Sequence, residues 1–197
     1  VQSDGIKADV SFSVAQSRSN GSYKCSGGDY TPPPSSTSTL FSDDFGGSWC
    51  QKGKEFNSIN NGNWSQYGGV AGDNHGNPHG NVADLDAGTN SGLPNRTEWL
   101  MTKSINTLGF RDIKLKYDRN MDVPPGTSAT LTVEYSVNGG STWSTLETVT
   151  VDHDWVTKSW SLSPSADNKP GIKVRFTLVG THSSDHAYID NVIVTGV

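Results

Sequence analysis

The chain has 197 residues with 15 basic and 20 acidic side chains, a formal net charge of -5, and 32% hydrophobic against 18% charged residues. That length fits one domain, or one domain with an appendage, and six Trp, six Tyr and six Phe separate it from disordered chains, which pair low hydrophobicity with high charge and few aromatics. No run approaches the roughly 18 apolar residues of a membrane helix, none reads as a signal peptide, and the acidic balance lacks the basic field that phosphate binding needs; the expected protein is soluble and mature, with neither membrane nor nucleic acid as its main partner.

Residues 1–39 form a segment of shifted composition. An alternating run places Val10, Phe12 and Val14 on one face of a strand, and Pro32-Pro33-Pro34-Ser35-Ser36 follows as a stiff linker. The segment is either a spare strand of the main domain or the tail of another module. Cys25 and Cys50 are too few for a disulfide framework, and no Cys-x-x-Cys pair suggests zinc or redox chemistry. One Cys25–Cys50 disulfide is the simplest reading; it would tie the linker back to the domain and suit an extracellular, secreted protein.

From residue 40 to 197 short strand-like runs recur between turn signals, and no window holds helical spacing for more than about two turns. The reading is all-β, with strands at 39–45, 63–67, 81–86, 97–103, 110–119, 129–137, 143–151, 157–163, 171–179 and 186–195. Turns such as Asn61-Gly62, Pro124-Pro125-Gly126, Asn138-Gly139-Gly140 and Lys169-Pro170-Gly171 separate them. Ile113, Leu115 and Tyr117 oppose Lys114, Lys116 and Asp118; Leu131, Val133 and Tyr135 oppose Thr132, Glu134 and Ser136; Val174 and Phe176 oppose Lys173 and Arg175. One wet face per strand predicts an antiparallel β-sandwich whose inner faces make the core. That core is expected to hold Phe41, Trp99, Leu115, Val133, Tyr135, Trp143, Trp160, Val174, Phe176 and Ile189.

Three stretches carry a resemblance. Leu40-Phe41-Ser42-Asp43-Asp44-Phe45 opens the domain, Val133-Glu134-Tyr135-Ser136-Val137-Asn138-Gly139-Gly140-Ser141-Thr142-Trp143 lies in its middle, and Ala187-Tyr188-Ile189-Asp190-Asn191-Val192 closes it. In this order they resemble the jelly-roll carbohydrate-binding modules of secreted bacterial polysaccharide-degrading enzymes, and more distantly MAM domains and reelin repeats. The middle stretch is similar to the Asp-box of sialidases, a structural hairpin, with Asn138 where Asp is usual. The resemblance implies a jelly roll over residues 40–197 and a structural calcium where first and last strands meet. Its ligands would be Asp43, Asp44 and Asp190, carboxylates that would repel one another without a cation. Gly46 stands where related modules often have Glu, which removes one expected ligand.

Catalytic patterns are harder to find. His75–His79 and His182–His186 have the spacing of a zinc pair on a helix, but Gly76, Pro78 and Gly80 break any helix and no metalloprotease Glu is present, so the first pair reads as a loop tip. Glycoside hydrolysis needs two facing carboxylates, and Glu55, Glu98, Glu134 and Glu147 contain no close pair. Tyr117, Arg119, His75 and His79 supply the residue types of a polysaccharide lyase without a recognisable spacing, and a Ser nucleophile elbow is absent.

Sugar rings pack on aromatic side chains and bond to polar ones, so a glycan site is expected on loops holding Trp64, Tyr67, His75 and His79, whose neighbours are polar, with Arg119 and Trp155 contributing. The competing location is a basic stripe of Lys114, Lys116, Lys173 and Arg175, which would suit an anionic polysaccharide. The first reading is a monomeric, noncatalytic carbohydrate-binding module that binds a polysaccharide or oligosaccharide. A small jelly-roll lyase or hydrolase and a protein-binding or adhesion module are the alternatives.

Overall fold

Alternating apolar and polar side chains build eleven β-strands among the described residues, which in this computed structural model are 36–46, 62–68, 70–76, 78–87, 96–150 and 152–197. Cys25 and Cys50, with Trp49, Glu55 and the run around Phe12, lie outside them. The strands are β1 (Ser38–Asp43), β2 (Trp64–Tyr67), β3 (Ala71–Asn74), β4 (Asn81–Asp86), β5 (Arg96–Thr102), β6 (Lys114–Asp122), β7 (Ala129–Ser136), β8 (Ser144–Val149), β9 (Val156–Ser161), β10 (Lys173–Gly180) and β11 (His186–Gly196). Ten match the sequence expectation within a few residues. The unexpected one, β3, has no β-branched or aromatic side chain, and its pairing with β4 makes it a strand.

All pairings are antiparallel and fall into two sheets. One runs β3-β4-β11-β6-β9 with β1 also on β11; the other runs β2-β5-β10-β7-β8. Apart from the β3–β4 and β7–β8 pairs, successive strands cross between the sheets, the topology of a jelly roll. β11 organises the first sheet. Its early residues pair with β4 and its late ones with β1, while β6 runs along its other side. A bulge follows Asp190, with Asn191 at φ 50°. The extra residue resets the alternation, so Ala187 and Ile189 before it and Val192 and Val194 after it all face the core.

The inner faces interdigitate around Tyr117, Phe176, Leu100, Leu115 and Leu131, all fully buried. The ring of Tyr117 meets that of Phe176 edge-on at 5.1 Å. Of the expected core, Leu115, Val133, Val174, Phe176 and Ile189 are buried, while Phe41, Tyr135 and Trp160 are half-buried and pack against it. Trp99 and Trp143 are corrections. In β5 the inward residues are Glu98, Leu100 and Thr102, which turns Trp99 outward, and Trp143 lies against Arg175 on the outer side of β10. The Asp-box-like hairpin forms as its residues suggest. Asn138 Oδ1 accepts the Thr142 N–H at 2.9 Å, and Gly139 takes φ 72°.

Between the sheets lies a charged network centred on Arg119. Arg119 is on the inner face of β6, 3% exposed, and its guanidinium donates to Glu147 of β8 (Nε to Oε1, 2.9 Å; Nη2 to Oε2, 3.3 Å) and to Asp152 (Nη1 to Oδ2, 2.9 Å). Glu147 also accepts the Tyr117 hydroxyl at 2.6 Å and lies 3.6 Å from Lys158 Nζ. Trp160 Nε1 donates to the same Tyr117 oxygen. Burial works against the charge of Arg119, but its bonds to Glu147 and Asp152 more than offset that and hold it above the usual arginine value. Burial and the Glu147 bond together push the Tyr117 phenol up.

Removing one partner of such a pair exposes the cost of the other charge. Glu147→Ala leaves the guanidinium with Asp152 alone and is expected to destabilise the fold by about 3 kcal/mol in urea unfolding. The apolar double replacement Arg119→Met with Glu147→Leu is expected to recover most of that loss. A cost below about 1 kcal/mol for the single variant would contradict the buried pairing.

Candidate functional site

The outer face of the β2-β5-β10-β7-β8 sheet presents two rows set by strand register. Tyr67 of β2 stands opposite Trp99 of β5, which stands opposite Thr177 of β10, then Thr132 of β7 and Thr148 of β8. One step along, the row is Ser65, Met101, Arg175, Glu134 and Thr145. Tyr67 is the most open large hydrophobic side chain among the described residues, 59% exposed. Its ring lies 6.1 Å from that of Trp99 with only 17° between their planes. Two nearly parallel rings stacked across adjacent strands of a sheet make an apolar shelf whose orientation the backbone fixes.

Beyond the rings the face turns polar. Thr177 Oγ1 is covered by its neighbours and has no hydrogen-bond partner among the described residues, so the open hydroxyls of the two rows are those of Thr145 and Thr148 on β8. In the second row Arg175 donates to Glu134 Oε2 from Nε (3.1 Å) and Nη2 (2.7 Å), while its guanidinium carbon sits 4.0 Å from the centroid of the Trp143 ring. Lys103 Nζ donates to Ser65 Oγ at 3.0 Å. The surface therefore offers ring faces, hydroxyls and a guanidinium whose charge a carboxylate already matches. A hydroxyl-rich, uncharged ligand with one apolar face is the chemistry it fits.

The expected site residues scatter. Trp64 is a correction: it is 6% exposed, with its ring 5.3 Å from Phe41 and 5.5 Å from Phe45 and its Nε1 donating to Asp43 Oδ2 at 2.8 Å. Side chains three residues apart on a strand point to opposite faces, so Trp64 goes in as Tyr67 goes out. Arg119 is likewise corrected, since it shares the inward parity of Leu115 and Tyr117. The basic stripe does not form, because Lys114 and Lys116 on β6 and Lys173 and Arg175 on β10 belong to different sheets with outer faces pointing away from each other.

His75, His79 and Trp155 do come together, on the outer face of the other sheet. His79 stacks on Trp155 at 3.8 Å, and His75 meets Trp155 edge-on at 5.7 Å. Sequence reasoning missed their companions Tyr188, 4.0 Å from the His75 ring, and His186, whose plane lies within 6° of that of Tyr188. The outward parity of β11 before its bulge was the available signal. His79 Nδ1 is 3.0 Å from Asp190 Oδ2, and His186 Nδ1 is 3.0 Å from Asp84 Oδ1. Burial pushes the Asp190 and Asp84 carboxyls up despite these histidines.

The three expected calcium ligands divide. A pocket of about 380 Å³ is lined by Ser42, Asp43, Asp44, Asn63, Asn191 and Ile193. Asp190 does not line it. Its buried carboxylate turns to His79 and to the backbone and side-chain N–H groups of Asn191. Asp43 Oδ1 accepts the Phe45 N–H, and Asp44 Oδ1 the Gly46 N–H. Among the described residues no three His, Cys, Asp or Glu side chains converge as a metal set, so a cation here would draw on two carboxylates and neutral oxygens of Asn and Ser.

No family model matches the chain, and no curated protein matches it. Solved structures do. The mannan-recognising carbohydrate-binding module TmCBM27 superposes with a TM-score of 0.51 at 14% identity, over 82% of this chain and 99% of that one. The K3 cleaved adhesin domain of Lys-gingipain from Porphyromonas gingivalis does so with a TM-score of 0.51 at 14% identity, over 80% and 99%. These likenesses establish the jelly-roll β-sandwich.

The His186–Asp84 pair gives the fold a pH dependence. The Asp84 bond raises the imidazole above its ordinary 6.5, with burial opposing. A group whose pKa rises on folding stabilises the folded chain below its unfolded pKa, and that contribution disappears as pH climbs through the folded value. The melting temperature is therefore expected to fall between about pH 6 and pH 8, and less so in His186→Gln. Equal slopes in the two proteins would show that the pair does not couple to folding.

Proposed function

We propose that this chain is a noncatalytic carbohydrate-binding module whose glycan platform is the outer face of the β2-β5-β10-β7-β8 sheet. The observation that carries this reading is the exposed, nearly parallel Tyr67–Trp99 pair. An aromatic shelf takes the apolar face of a pyranose, and the Thr, Ser and Arg175–Glu134 groups beside it bond the ring hydroxyls. The jelly-roll fold it shares with a mannan-recognising module supports the architecture of this reading. The described glutamates are otherwise engaged: Glu134 with Arg175, Glu147 with Arg119 and Tyr117, and Glu98 with the Asp86 N–H. The ligand is an uncharged polysaccharide or oligosaccharide, met outside the cell.

Calcium belongs to the same reading, at the pocket where β1 meets β11. Asp43 and Asp44 supply charge, and Asn63, Asn191 and Ser42 supply the neutral oxygens that a six- to eight-coordinate hard cation accepts. Its role there is structural, fixing the start of the domain to its last strand. Calcium at a hundred times its Kd is expected to stabilise the fold by about 2.7 kcal/mol, roughly 5–10 °C in melting temperature for a chain of this size. Asp44→Ala removes an exposed carboxylate that bonds only a turn amide and is expected to abolish the shift. Melting that is identical in calcium and in chelator would remove the cation from the account.

The platform is tested by affinity electrophoresis and calorimetry against mannan, xylan and β-1,4-galactan. Each ring contributes on the order of 1 kcal/mol, so Tyr67→Ala and Trp99→Ala are each expected to weaken binding about five- to tenfold. Binding is expected to persist at high salt, since ring stacking and hydroxyl contacts drive it and charge does not. Retention unchanged by both substitutions, or lost steeply with salt, would contradict the platform.

A further inference from the structure

Resting on the carbohydrate-binding reading, we infer that the opposite face, on the β3-β4-β11-β6-β9 sheet, holds a second glycan site, built on the rings of Trp155, His75 and His186, and that the module is bivalent. The rings form a continuous strip across that face: Trp155 touches His79 and His75, His75 touches Tyr188, and Tyr188 lies beside His186. They occupy two tiers. His79 and Tyr188 lie low, His79 held against Asp190 at 3.0 Å with Asp118 4.0 Å away and Tyr188 buried on β11. Above them the side chains of His75 and His186 are 25% and 23% exposed, and Trp155 is half-buried. Rings already fixed by a lower tier lose little freedom when a sugar packs on them, which favours binding without new contacts.

The surroundings set the class of ligand. Asp84 lies 3.0 Å from His186 and Asp73 3.6 Å from His75, and His186 stands opposite Asp86 on β4 and Asp122 on β6, so carboxylates ring the strip. His186 gives Nδ1 to Asp84 and keeps Nε2 for an outside partner. Carboxylates accept hydrogen bonds from sugar hydroxyls and repel uronate or sulfate groups, so the strip selects neutral glycans. Because the outer faces of a sandwich point in opposite directions, one glycan segment cannot fill both sites. Two chains can, and the module then cross-links a polysaccharide, with the gain in avidity that a second engaged site brings.

Titration calorimetry with hexasaccharides derived from mannan, xylan or galactan reads the number of sites. Wild type is expected to bind two per chain and to make long polysaccharide turbid. The double variant His75→Ala with Trp155→Ala is expected to bind one and to give no turbidity, as is Tyr67→Ala with Trp99→Ala. Trp155→Phe, which keeps a ring, retains two and separates loss of the platform from loss of the loop's fold. One ligand per chain, eliminated by the Tyr67 and Trp99 substitutions, overturns the second site and leaves the first standing. One ligand eliminated only by the His75 and Trp155 substitutions overturns bivalency and moves the platform. No binding of any of these glycans by wild type overturns the carbohydrate reading and the second site with it.

Discussion

The charge pair between Arg119 and Glu147 is the constraint on which the two faces of this molecule depend. β6 and β8 lie in different sheets, and their side chains meet in a layer that is mostly apolar. A guanidinium there is tolerable only while carboxylates match it, so the network fixes how the sheets approach each other at that side of the sandwich. Tyr117 adds a hydroxyl from within the core, and Trp160 bonds the same hydroxyl. Apolar packing tolerates sliding of one sheet over the other more readily than a five-bond network does. Side chains on both outer faces are therefore mounted on strands with a defined spacing, the condition for a preorganised surface.

That arrangement explains why the proposed platforms sit on sheets as well as loops. Tyr67 and Trp99 lie opposite each other because β2 pairs with β5 in a particular register; a slip of β2 by one residue would turn Tyr67 inward and leave Trp99, held by β10, without its partner. The Arg175–Glu134 pair matches its charge in place, and Trp143, delivered by the Asn138 hairpin, covers the guanidinium. The fold by itself is uninformative on this point, since the same sandwich serves a mannan-recognising module and an adhesin domain. Assignment has to come from what the faces carry.

Much of the architecture was legible in the residues. Strict alternation in β6, β7 and β10 identified the inner face correctly and with it the sandwich, and the Asp-box-like hairpin formed around Asn138. Where the reading failed, it judged side chains by their neighbours in sequence instead of by strand parity. Trp64 and Tyr67 share polar neighbours, yet odd spacing divides them between core and surface; Arg119 has the parity of Leu115 and follows it inward. Trp99 misled because β5 carries buried Glu98 and Thr102 beside Leu100, so its polar residues sit on the wrong side for a hydrophobicity argument. The supposed basic stripe required β6 and β10 to be neighbours, which no single sequence states. Asp190 was placed with Asp43 and Asp44, but the bulge after it puts Asn191 at the pocket and leaves Asp190 with His79.

The central claim is that ring faces on the five-stranded sheet receive the sugar, and a two-dimensional amide NMR titration with a neutral oligosaccharide tests it most directly. The account predicts saturable amide shifts centred on Tyr67, Trp99, Met101 and Thr177, with the sugar's CH protons moving upfield as the pyranose enters the ring currents of Tyr67 and Trp99. A glycan that binds while leaving the Tyr67 and Trp99 resonances in place would contradict it.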